Sequence, residues 1–205
     1  MAMWDRLKDT AKGIQQSRSS GGSGGSGSRS GGGFGGFGGS GGHGGPAGSG
    51  GSGGSGSGGS RSQLLGVFKT QLASMKTELK SGGYRDASMA ICALVAAADG
   101  TVDAAERQRV ESLIVSNEVL QNFPADTLRQ RFNKHVDQLV SNPQFGRGAV
   151  LEEIAKVAKK PMEARAVIQT GMVIAGADGY FAQAELAVLR EACGVLNLSP
   201  TEFNL

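Results

Sequence analysis

The sequence lacks any apolar run of about 20 residues, the length that crosses a bilayer, and its first residues lack the apolar stretch of a secretory signal. We therefore expect neither a membrane span nor export. Cysteine is also scarce. Cys92 and Cys193 lie in apolar helical runs without metal-ligand or redox spacing, so buried and reduced thiols are expected, as in a cytoplasmic protein.

Histidine, a residue type that often takes part in catalysis, occurs only twice. His43 lies among glycines, and His135 stands beside Val136 without a serine or cysteine in a nucleophile context, which favours a surface or boundary histidine. The 35 glycines include no phosphate-binding G-x-x-x-x-G-K-[ST] motif. We therefore expect that the protein is not an enzyme.

Glycine is distributed unevenly, and this predicts the domain organisation. Most of the glycines lie in residues 20–60, and nearly all of the remaining residues there are serine. This segment therefore has too little apolar surface to offset the entropy lost when a chain becomes ordered. We expect a short helix at residues 1–17, a flexible low-complexity linker at 18–61, and one folded domain at 62–205. The last segment is long enough to bury a hydrophobic core.

The net charge of +3 belongs to the beginning of the chain. Residues 1–62 hold six basic and two acidic side chains, whereas the remainder has a net charge of −1. Within residues 1–17, Trp4, Leu7, Ala11 and Ile14 recur at helical spacing and predict an amphipathic helix. Three partners stay open for it: the folded domain itself, an anionic membrane surface, or another protein. Nucleic acid is not expected.

The folded segment has helical periodicity throughout and no convincing alternation of period two, which predicts an all-α domain of about seven helices. The predicted helices span residues 62–80, 84–98, 104–116, 124–142, 148–160 and 161–174, and a seventh runs from 182 to an end between 194 and 197. In this prediction Gly82-Gly83 ends the first helix, and Asn142-Pro143 ends the fourth.

An internal repeat appears when Asp99-Gly100 is aligned with Asp178-Gly179, 79 residues later. The same shift superposes several alanines and the pair Glu106 and Glu185. We therefore expect two pseudo-symmetric helical hairpins. Their alanine-rich helices should approach closely at the centre, and the two acidic loops should lie near each other or at matching ends.

Each loop resembles the second half of an EF-hand calcium loop, with an aspartate, a turning glycine and a final glutamate at the required spacing. The first half of that motif is missing, because Val95 and Ala97, or Ile174 and Gly176, stand at the earlier ligand positions. Neither loop alone can therefore surround a calcium ion.

A reading without metal also fits these residues. Asp103 and Glu106 have the spacing of a helix capping box, but Ala182, the counterpart of Asp103, has no side-chain acceptor. An aspartate just past a helix C-terminus faces the negative end of the helix dipole and needs a positive neighbour. A cation, a lysine, Arg85 or Arg165 are the candidates.

These features resemble the TerB family of tellurite resistance proteins. The resemblance rests on the paired A-D-G…E motifs, the F-x-L ending at residues 203–205 and the initial M-x-x-W-D-R-L-K; the Gly/Ser insertion departs from the pattern. It implies a helical stress-response protein with two similar halves and an acidic surface for a divalent metal, calcium or another. It also implies an integral-membrane partner of the same resistance system at the cytoplasmic face. The residues it nominates are Asp99, Glu106, Asp178 and Glu185, with Asp103 secondary.

Overall fold

The computed structural model describes the backbone of residues 58–205 and the side chains from Ser62 onward. The predicted N-terminal helix and nearly all of the predicted linker lie outside these residues. The described chain is all-helical, with seven α-helices and no strand. The helices are α1 (Gly58–Ser74), α2 (Gly82–Ala96), α3 (Ala104–Ser116), α4 (Ala125–Ser141), α5 (Pro143–Ala155), α6 (Pro161–Ala175) and α7 (Gln183–Val195).

Helices α2 and α6 form the centre of the domain, where they pack against each other and against most of the remaining helices. Every residue from Ala87 to Val95 is buried, and α6 is buried from Ala166 to Ala175. The Tyr84 hydroxyl of α2 and the Thr170 hydroxyl of α6 are 2.9 Å apart and share a hydrogen bond. The close central contact predicted from the recurring alanines is confirmed.

The sequence repeat reappears in the helix boundaries. Gly82–Ala96 and Pro161–Ala175 are 79 residues apart at both ends, and so are Ala104–Ser116 and Gln183–Val195. Each pair of helices is joined through a glycine with a left-handed backbone, Gly100 at φ +92° and Gly179 at φ +83°. The two hairpins therefore share helix lengths and loop geometry.

Both predicted bounds of the first helix are wrong. α1 begins at Gly58, four residues before the predicted start of the domain, and ends at Ser74 instead of continuing to Lys80. Gly82 and Gly83 do not terminate it, because they are the first residues of α2. The Ser81 side chain accepts a hydrogen bond from the Tyr84 backbone N–H at 3.0 Å, which satisfies a donor of the first turn and sets this start.

The predicted start of the fifth helix is also wrong. The helix begins at Pro143 and ends at Ala155, whereas the prediction placed it at residues 148–160. Pro143 stops α4 and also occupies the first turn of α5, where proline's missing N–H costs nothing. One asparagine, Asn142, ends α4 and precedes α5. The connection is therefore a single residue.

The remaining packing agrees with the apolar pattern. Leu128, Phe132 and Val136 of α4 are buried, and α4 packs against α2. Cys92 and Cys193 are free and buried, as predicted. His135, predicted at a surface or boundary position, is instead buried at 6% exposure, with Nδ1 3.3 Å from Gln138 Oε1. No helix between residues 58 and 205 is long and apolar enough to span a membrane.

Candidate functional site

The first acidic loop follows the C-terminus of α2. Asp99 Oδ1 accepts a hydrogen bond from the Thr101 backbone N–H at 3.1 Å, and the Thr101 hydroxyl lies 3.4 Å from the same oxygen. Asp103 Oδ1 accepts from the Glu106 N–H at 2.8 Å, while Glu106 Oε2 accepts from the Asp103 N–H at 2.9 Å. These reciprocal bonds form the capping box predicted for the start of α3.

The second acidic loop follows α6 through a short 3₁₀ turn, Gly176–Asp178. Asp178 Oδ1 accepts a hydrogen bond from the Tyr180 N–H at 3.0 Å, which repeats the turn made by Asp99. Glu185 Oε2 accepts from the Ala182 N–H at 2.8 Å. Because Ala182 has no side-chain oxygen, the return bond of the capping box is missing in this loop.

Glu185 differs from its counterpart Glu106 in burial. It is only 5% exposed, whereas Glu106 is partly exposed. Burial raises the pKa of the Glu185 carboxyl to about 7; the Ala182 hydrogen bond opposes this rise, and the negative charges of Asp178 and Asp99 add to it. Since Asp99 belongs to the first loop, its effect on the Glu185 pKa is an electrostatic interaction between the two acidic loops.

The arginines proposed as neutralising neighbours lie elsewhere. Arg85 pairs with Asp86 at 2.6 Å, and Arg165 pairs with Glu202 at 2.8 Å, so neither supplies positive charge to the loops. Within residues 62–205, Asp99, Asp178 and Glu185 make no ion pair with a lysine or arginine. Three carboxylates thus share one end of the domain without a paired basic side chain from the described chain.

The five predicted site residues therefore divide into two groups. Asp103 and Glu106 are engaged in capping α3, whereas Asp99, Asp178 and Glu185 interact electrostatically across the two loops. Among the residues that the structure describes, no three His, Cys, Asp or Glu side chains stand close enough together to hold a metal ion.

The sequence contains a signal for the burial of Glu185 that the motif alignment alone does not reveal. Glu106 is followed by Arg107 and Gln108, but Glu185 is followed by Leu186 and Ala187. Leu186 is buried, as is Phe181 of the same loop. The more apolar surroundings of the second copy therefore distinguish a buried glutamate from an exposed one.

The difference in capping predicts opposite effects of two substitutions. Asp103→Ala should lower the free energy of unfolding by about 1 kcal/mol, because the Glu106 N–H loses its acceptor. Ala182→Ser should raise it by about 1 kcal/mol, because the serine hydroxyl supplies the missing acceptor at the start of α7. Urea denaturation of both variants measures these changes. A gain from Asp103→Ala would contradict the assigned cap.

The repeated hairpins, the buried central helices and the acidic loops at one end define an all-helical two-hairpin domain with paired carboxylate loops. The chain belongs to the TerB family, since residues 85–205, more than half of its length, match the family described as tellurite resistance protein TerB. Neither the curated proteins nor the solved structures yielded a match.

Proposed function

We propose that this TerB domain is a non-enzymatic module of a tellurite resistance and stress response that binds a divalent cation through Asp99, Asp178 and Glu185. The burial of Glu185 supports this most, because its carboxyl is affected by the charges of Asp178 and Asp99 and has no paired basic side chain in the described chain. Ionised carboxylates in such a place repel one another, and a bound cation removes that cost.

The donor atoms suit a hard cation. One oxygen of each carboxylate is held by a backbone N–H, at Thr101, Tyr180 or Ala182. These bonds orient the carboxylates while the second oxygen of each remains available as a ligand. Calcium takes carboxylate oxygens together with backbone carbonyls and waters. The three carboxylates stand too far apart in this structure to hold one ion together, so the proposal requires the two loops to move closer when the cation binds. Calcium or another divalent cation fits this donor set.

Asp103 and Glu106 have a secondary part in this proposal. Their capping bonds fix the start of α3, which follows the Asp99 loop directly. They therefore position the first loop, and they contribute negative charge to the same end of the domain. Their loss should weaken cation binding less than the loss of Asp99 or Asp178.

The proposed setting is the cytoplasmic face of the membrane, with an integral-membrane protein of the resistance system as partner. The family membership supports this setting. Phe145 is 79% exposed beside a groove of about 840 Å³ between α4 and α5, which offers an apolar contact for another protein. Fractionation of cells that carry the resistance system would test whether the full chain travels with the membrane.

Isothermal titration with calcium, zinc or manganese tests the cation site. The wild-type chain should release or absorb binding heat with at least one ion, and Asp99→Asn or Asp178→Asn should weaken that binding by about tenfold or more, since each removes a ligand charge. Asp126→Asn is the matched control, because Asp126 is an exposed helical aspartate whose partner is Arg129. It should leave the affinity unchanged.

A helical adaptor without a metal site is the second candidate function. The complete capping box at Asp103 and Glu106 favours it, because capping accounts for two of the five acidic residues without an ion. The same titration separates the two functions. Equal heats from the wild type, Asp99→Asn and Asp126→Asn would reject the cation site and leave the adaptor.

A further inference from the structure

A cleft of about 530 Å³ lies between α1, the end of α3 and the end of α6, and none of the three carboxylates lines it. Its floor is apolar and includes Leu72, Val119 and Ile174. Its rim is polar or small and includes Thr70, Glu118 and Ala177. An apolar floor with a polar rim is typical of a site that accepts one face of an amphipathic helix.

The other half of the domain has a smaller counterpart to this cleft, and the connection between α4 and α5 forms part of its lining. Ala98 lies 79 residues before Ala177 and lines a smaller cleft of about 260 Å³. That cleft is also lined by Leu139, Pro143 and Arg147, which lie at the end of α4 and the start of α5. α1, which lines the larger cleft, starts at the limit of the described residues, so no described segment before it lines that side in the same way.

We propose that the larger cleft is occupied by residues 1–17 of this same chain. This segment places Trp4, Leu7, Ala11 and Ile14 at helical spacing, which gives it the apolar face that the cleft floor requires. The inference is independent of cation binding.

The length of chain outside the structure permits this docking. Residues 18–57 separate the segment from α1, and a Gly/Ser-rich chain of 40 residues has a root-mean-square span of about 35 Å. A domain of 148 residues has a radius of gyration of about 15 Å, so the segment reaches any face of it. Tethering also supplies an effective concentration of about millimolar, so a modest intrinsic affinity is sufficient.

Charge is compatible with the same assignment. Residues 1–17 carry Arg6, Lys8 and Lys12 against Asp5 and Asp9. Among the described residues, Glu118 is the one acidic side chain that lines the cleft. Lys69 is the one basic side chain that lines the cleft. The lining of the cleft is therefore neutral overall and does not repel a segment with a net charge of +1.

The single tryptophan of the chain makes the proposal directly measurable, because Trp4 lies in the segment itself. In the full chain its fluorescence should be blue-shifted, and acrylamide should quench it several-fold less than in a free peptide of residues 1–17. Ala73→Arg places a large cation in the cleft and should restore the emission and quenching of the peptide. Ala187→Arg, at an exposed alanine of α7 outside the cleft, should change neither.

A second measurement does not depend on the folding of a cleft variant. Excess peptide of residues 1–17 with Trp4→Phe should displace the segment and return the wild-type emission to that of an exposed tryptophan. Emission equal to the free peptide in the wild-type chain would overturn the proposal. A blue shift that survives Ala73→Arg would also overturn it. A blue shift that varies with protein concentration would report docking between copies, and one that appears only with anionic vesicles would report membrane binding; either would overturn the proposal.

Discussion

Gly146→Ala is expected to lower the free energy of unfolding by about 3 kcal/mol or more, because α5 crosses α4 with no room for a side chain at this position. An added Cβ would lie 2.8 Å from the Leu139 backbone nitrogen and closer still to the Gln138 carbonyl oxygen. Backbone atoms cannot rotate away as a flexible side chain can, so the two helices must separate. For a domain of this size, the melting temperature should fall by roughly 10 °C.

Gly148→Ala is the matched control on the same helix. Nothing lies within 4 Å of a Cβ added at Gly148, so alanine should stabilise α5 by about 0.5–1 kcal/mol through its higher helix propensity. Thermal unfolding of both variants checks the prediction. Equal effects of the two substitutions would show that Gly146 is not a site of close helix contact.

Glu185→Gln is expected to remove a pH dependence of stability that the wild-type domain has between about pH 4.5 and 7. Burial raises the pKa of this carboxyl in the folded state to about 7, above its ordinary value of 4.5. Between these values the unfolded chain loses the proton while the folded chain keeps it, so wild-type stability falls as the pH rises. By pH 8 the raised pKa of Glu185 lowers the free energy of unfolding by about 3 kcal/mol relative to its value below pH 4.5.

Urea unfolding in the presence of a chelator, from pH 4 to 8, measures the effect as the difference between wild type and Glu185→Gln. The difference is needed because His135 has a lowered pKa and contributes a slope of opposite sign. Glu202→Gln serves as control, since Glu202 is an exposed residue paired with Arg165. Parallel pH profiles for wild type and Glu185→Gln would contradict the raised pKa.

Much of the fold followed from the sequence because helical periodicity and caps act locally. The bounds of α3 were predicted correctly, since Asp103 and Glu106 cap it through bonds between residues three apart. The misplaced boundaries involve residues with two local roles. Pro143 ends one helix and begins the next, and Gly82 is a helix breaker by propensity that begins α2 behind the Ser81 cap.

The candidate site was predictable as a set of residues but not as an arrangement. The repeat at 79 residues identified both loops, yet the electrostatic interaction of Asp99 with Glu185 depends on how two distant hairpins pack. The sequence offered Arg85 and Arg165 as partners of the loops. Arg165 pairs with Glu202 because the fold brings these distant residues together, and Arg85 pairs with its neighbour Asp86 because of the side-chain conformation it adopts.

A titration of the ¹⁵N-labelled chain with a divalent cation, followed by NMR, tests the central claim most directly. The account predicts that the amide signals of Gly100, Thr101, Gly179 and Tyr180 move together with one midpoint, because the carboxylates of both loops hold the same ion. Asp126, distant in sequence and paired with Arg129, should give an unchanged signal. Amide signals in both loops that stay fixed while each cation is raised to millimolar concentration would contradict the account.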